Sequence, residues 1–178
     1  MIVHVLRLIF ALAVVGNVGP PGVCNLTLPA EVRAHLDREK EAGWRVVTER
    51  DLAADDAAIW MQLHGEKCPG IVRGDFEGSD DTSFVVSLIR AKPSGSHEQK
   101  LLLLRHQTGG LAVTVVVPPT VVVNPLVLWK RAPGSYRGVY EHRAIAIATE
   151  SFVFEKLEAA ATQYYIRDGT IHNLLISD

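Results

Sequence analysis

The sequence predicts an α+β fold, with short amino-terminal helices followed by a mainly antiparallel β-sheet body. Three observations carry that expectation. Between residues 29 and 65, two segments space their apolar residues three or four apart, place acidic residues early and end at glycine. From Pro69 onward the pattern changes to period two and to β-branched runs. The links between those runs are short turns, which join antiparallel strands and cannot return a parallel one. With 178 residues and no linker between its halves, the chain is the length of one domain. A hydrophobic share of 48% and a charged share of 21% exclude a disordered or low-complexity chain. The net charge of -2 gives no chain-wide basis for holding nucleic acid or an anionic membrane.

Met1 to Val18 is mostly apolar with one cation, Arg7, and Gly19-Pro20-Pro21-Gly22 then breaks any helix. This is the pattern of a secretory signal, because the apolar run is shorter than the roughly 20 residues that a membrane span requires. The expected division is a signal over residues 1–24 and one exported domain over 25–178, with a helical front at 29–65 and a strand-rich body at 69–178. Membrane contact is expected only if the leader stays uncleaved. The two cysteines exclude a multi-cysteine zinc cluster and a disulfide-dense scaffold. If Cys24 outlasts cleavage, it pairs with Cys68; if it leaves with the leader, Cys68 is a lone, buried thiol.

Pro29-Ala30-Glu31 starts the first helix, Val32 and Leu36 share a face, and Gly43 stops it. Trp44 to Val47 reads as a brief extended piece. Asp51 to Gly65 reads as helix again, with Asp55 and Asp56 in its first turn and Ile59, Trp60 and Leu63 as its apolar stripe. Trp44, Trp60 and Trp129 read as core anchors ahead of a carbohydrate platform. Strands follow at 84–89, 99–106 and 111–117, joined by the Lys92–Ser96 turn and by Thr108-Gly109-Gly110. Pro118 and Pro119 are expected to split two valine-rich pieces by a bend, with the valines interior or covered. Gly134 and Gly138 bracket a loop. Later strands read at 144–148, 151–156, 163–167 and 171–176, and Asp168-Gly169 is the strongest hairpin signal.

The stretch Gly74-Asp75-Phe76-Glu77-Gly78-Ser79-Asp80-Asp81-Thr82-Ser83-Phe84-Val85-Val86 alternates oxygen-bearing side chains and leads into a hydrophobic strand. A calcium ion takes roughly six to eight oxygens, which a tight loop supplies from alternate positions. The stretch resembles the calcium-loop core of FG-GAP (integrin-type) repeats, D-x-[DN]-x-D-G-x-x-D followed by a strand. It also resembles the Gly-Asp-Phe-x-Gly segment of small exported bacterial proteins of unknown function. The resemblance implies calcium as the ion, with Asp75, Glu77 and Ser79 at the first, third and fifth positions, a carbonyl from Asp81, and Ser83 at the ninth. Asp80 stands where that pattern has glycine, and serines replace two of its carboxylates, which strips charge from the cage. The alternative is a polar turn before a strand, with no cofactor. The single copy argues against a complete propeller.

Catalytic signatures fail one by one. His64-x-Glu66 near Cys68 lacks the further thiolates of a zinc deaminase, and the serine of Gly134-Ser135-Tyr136-Arg137-Gly138 is misplaced for a nucleophile elbow. No two of the seven histidines lie three or four apart. Trp129, Lys130, Arg131, Tyr136, Arg137 and Tyr140 form a basic and aromatic cluster of the kind enriched at protein interfaces; the alternative is a solvated loop beside a core tryptophan. The expected function is therefore an exported, periplasmic or extracellular soluble domain that binds a protein or envelope component, or serves structurally, and leans away from enzyme. The alternatives are a secreted hydrolase with dispersed residues and a calcium-dependent ligand-binding module.

Overall fold

The computed structural model describes Cys24, residues 26–65 and residues 67–177. The expected leader up to Val23, together with Asn25 and Glu66, lies outside the described residues. Helix α1 (Ala30–Glu41) begins after Pro29, and the Gly43 and Trp44 amides turn back to the Lys40 and Glu39 carbonyls. Gly43 closes the helix at φ +82°, which a side chain would resist. Strand β1 (Arg45–Val46) follows, then one 3-10 turn, Glu49–Asp51. Helix α2 (Ala54–His64) ends at Gly65, where φ is +65°.

The body is antiparallel throughout. One sheet contains β1, β2 (Ile71–Gly74), β3 (Ser83–Ala91), β4 (His97–Gln107) and β5 (Gly110–Val122). Both β1 and β2 pair with β3, β4 pairs with β3, and β5 forms the far edge. The second sheet runs in the order β11 (Thr170–Ser177), β10 (Ala161–Arg167), β9 (Ser151–Glu155) and β6 (Val127–Arg131). A separate hairpin joins β7 (Gly134–Tyr136) to β8 (Ile145–Ile147). At the near edge the sheets meet, since the Leu128 amide donates to the Pro69 carbonyl at 2.7 Å.

Four apolar clusters stack these pieces. Val32 of α1 packs with Phe84, Val86, Leu88, Leu102 and Leu104 on one face of the first sheet. From its other face Val85, Leu101 and Leu103 meet Phe152, Phe154 and Ile166 of the second sheet. The β7–β8 hairpin covers the outside of that sheet, joining Ile147 to Tyr165 and Leu174. Helix α2 sets Trp60 against Val127 and Leu157. The strands β3 and β4 are thus buried on both faces, which is why Leu101–Leu104 reads as a continuous run and not as an alternation.

Two buried amide–hydroxyl pairs cross-link the strands. Gln99 Nε2 donates to Ser87 Oγ at 2.8 Å, and Gln163 Nε2 donates to Ser151 Oγ at 2.8 Å. All four residues are buried. Gln99 also reaches the segment before β6, accepting from the Leu126 amide and donating to its carbonyl.

Several sequence expectations change. The second helix starts at Ala54, not Asp51, because Asp51 caps the 3-10 turn through Thr48 and pairs with Arg45. Of its expected stripe, Trp60 is buried, but Leu63 stays 62% exposed. Pro118 and Pro119 lie within an unbroken β5, and the ladder to β4 absorbs them through register shifts near Leu101. Proline is tolerated there because an edge strand has amides with no ladder partner. Of the valines expected to be covered, Val116 and Val117 pack against the core between the sheets, whereas Val115, Val121 and Val123 are exposed, as is Val113 earlier in the strand. The Gly134 to Gly138 loop begins as a strand.

Candidate functional site

A cavity of about 360 Å³ opens where α2 crosses the corner between β2 and β6. Its position follows from the fold: the two sheets converge at Pro69 and Leu128, and Trp60 of α2 is seated on Val127 beside that junction. Ile71 and Leu128 form apolar wall. Trp60 and Trp129 add aromatic surface, with His64 between them. The His64 ring stacks on Trp60 at a centroid distance of 4.2 Å and tilts against Trp129 at 5.4 Å. Both indole N–H groups are consumed within the protein, Trp60 donating to the Lys67 carbonyl at 2.9 Å and Trp129 to the Glu155 carboxylate at 2.6 Å. Trp60 is only 1% exposed, so the aromatic surface open to the cleft is that of His64 and Trp129. Burial, reinforced by the nearby Lys67 charge, lowers the His64 pKa and favours a neutral ring.

Lys67, Arg73 and Lys130 bring positive charge to the same lining. Lys130 pairs with Glu150 at 2.5 Å, and the other Glu150 oxygen accepts the Asp75 amide at 2.8 Å. Gly74 makes room for this, since a Cβ there would sit 2.5 Å from Glu150 Oε2. The Cys24–Cys68 disulfide borders the cleft through Cys68 and holds the amino-terminal strand of chain whose Leu26 completes the wall. The cysteine pairing anticipated for an uncut Cys24 is thus present.

Two of the expected calcium positions, Asp75 and Glu77, are engaged within the protein. Asp75 accepts from the Gly78 and Ser79 amides at 2.7 and 3.1 Å through Oδ1, and from the Asp80 amide at 3.2 Å through Oδ2. Glu77 turns to Arg105, 2.7 Å away. Ser79 and Asp81 are exposed, whereas Ser83 is buried as the first residue of β3, opposite Gly74. Asp80 adopts φ +61°, the conformation that the pattern assigns to glycine. Among the described residues no three His, Cys, Asp or Glu side chains are grouped to hold a metal ion.

The expected basic and aromatic cluster divides. Arg131 lies over the Tyr136 ring at 4.2 Å and over Trp129 at 5.6 Å, and it donates to Gln163. Trp129 also lines the cleft, together with Lys130. Arg137 is exposed, and Tyr140, 79% exposed, projects from the loop between β7 and β8. No protein-family model, curated protein or solved structure matches the chain. The site must be read from its own chemistry. His64, Lys67, Arg73 and Ile71 were missed as site residues in the sequence; the one local signal was Trp60 and His64, four apart on α2.

Proposed function

We propose that this chain is a binding domain that acts outside the cytosol, and that the cleft between α2, β2 and β6 is its binding site. The single observation that carries the reading is the cleft itself: a concave, largely apolar cavity of small-molecule size, with a few charged groups on its lining. Export is supported by the leader-like start of the sequence and by the Cys24–Cys68 disulfide, since such bonds persist in oxidising compartments. No helix among the described residues is long and apolar enough to cross a membrane.

The test is a fragment screen read by amide chemical shifts on the exported, oxidised protein. Hits are expected to perturb His64, Ile71, Arg73 and Trp129 together. If no fragment moves those amides, or if hits gather at another surface, the cleft is not the binding site.

A further inference from the structure

We propose that the cleft takes a small amphipathic acid: an apolar chain or ring that ends in a carboxylate. This rests on the preceding reading of the cleft as a binding site and names the chemistry of its ligand.

Charge is the first argument. The described lining contains three cations, Lys67, Arg73 and Lys130, and no carboxylate, although the whole chain is mildly acidic. Glu150 neutralises Lys130. Lys67 and Arg73 make no side-chain hydrogen bond or ion pair with any described residue. Both are exposed, so an incoming anion meets them without breaking a pair to any described residue. A guanidinium also matches a carboxylate through two parallel hydrogen bonds.

Wall chemistry is the second argument. A neutral sugar needs many side-chain donors and acceptors beside an aromatic face. Here both indole N–H groups are already committed, to Lys67 and to Glu155. What remains open around them is Leu26 and the half-buried His64 and Trp129 rings, over a buried floor of Ile71 and Leu128, which suit an alkyl or aryl body. A volume of about 360 Å³ lies at the small end of ligand cavities and fits a medium-chain or single-ring acid better than a long-chain lipid.

The probes are octanoate, 4-phenylbutyrate, 1-octanol and glucose, titrated calorimetrically into the oxidised protein at low salt, with tryptophan fluorescence as the second readout. The two acids are expected to saturate the cleft and to bind about tenfold more tightly than octanol, the scale that two exposed charge contacts support. Lys67→Gln combined with Arg73→Gln is expected to remove that advantage, so that the acids bind no more tightly than octanol does, while the melting temperature stays unchanged. The advantage is expected to shrink as salt rises. Equal binding of octanoate and octanol overturns the inference yet leaves the cleft as a binding site. Saturable glucose binding without acid binding overturns it in favour of a sugar platform. Failure of every probe, with fragments still perturbing the cleft amides, overturns it and leaves the binding reading standing.

Discussion

His64 stacks on Trp60, one helical turn earlier in α2, with ring centroids 4.2 Å apart and planes inclined by 30°. Burial, then the Lys67 charge, holds the imidazole below its ordinary value. The unfolded chain therefore takes this proton more readily than the folded one. Stability linked to His64 is complete above pH about 6.5 and is lost as pH falls through the folded-state value. His35 shifts in the same direction, with burial again the main cause. The urea midpoint is expected to fall between about pH 7 and pH 5. His64→Gln should flatten part of that slope, and adding His35→Gln should flatten more. An unchanged slope in the double variant would refute the assignment.

Gln99 acts as a two-sided clamp on the Leu126 backbone, with contacts of 2.7 and 2.8 Å. Gln99→Leu leaves those two groups and Ser87 without their partner in a buried place. At about 1–3 kcal/mol for each of the three stranded groups, the expected loss is at least about 3 kcal/mol by denaturant unfolding. A loss below about 0.5 kcal/mol would mean that water replaces the clamp.

The Cys24–Cys68 bond closes a loop spanning 44 residues. On chain-entropy grounds, the paired serine variant should lose up to about 4 kcal/mol. On the proposed reading of an exported, processed chain, protein that carries the bond must still contain Cys24, so its intact mass is expected to place the cut before that residue. A mature chain that begins at Asn25 would refute the pairing.

Three valines of β5, Val113, Val115 and Val121, face solvent, as does Val123 just after it at 83%. Val115→Thr with Val121→Thr keeps β-branched side chains on the strand while removing apolar surface. Melting should shift little, within about 0.5 kcal/mol, while light scattering at high concentration declines. A large drop in melting temperature would show that these valines are covered in solution.

The Asp75 carboxylate already serves three amides, and Glu77 is engaged by Arg105. Asp75→Ala should cost about 1 kcal/mol. The wild-type melting temperature should be the same in millimolar calcium as in chelator. A rise with calcium would restore the cage that the FG-GAP resemblance implies.

Much of the strand order was legible because turns write themselves locally. Asp168 and Gly169 both adopt positive φ, at +51° and +72°, as their residue types foretell. The strands missed were β2, β6 and β7, each five residues or fewer, where tertiary pairing outweighs local pattern. The cleft was illegible for a related reason. Its walls come from α2, β2 and β6, and Ile71 and Leu128 become neighbours only when two sheets converge. Burial of the valines was overestimated because β5 lies at an edge, a property of sheet order and not of composition.

The leucine run of β4 has a blind spot that the amides beside it repair. Leu101, Leu102, Leu103 and Leu104 are interchangeable, so sliding β4 two places along β3 would keep each leucine on its own side. Gln99 cannot make that move, because it would forfeit Ser87 and both Leu126 groups at once. Gln163 and Ser151 repeat the device on the partner sheet. Grease supplies adhesion here, while two glutamines dictate alignment.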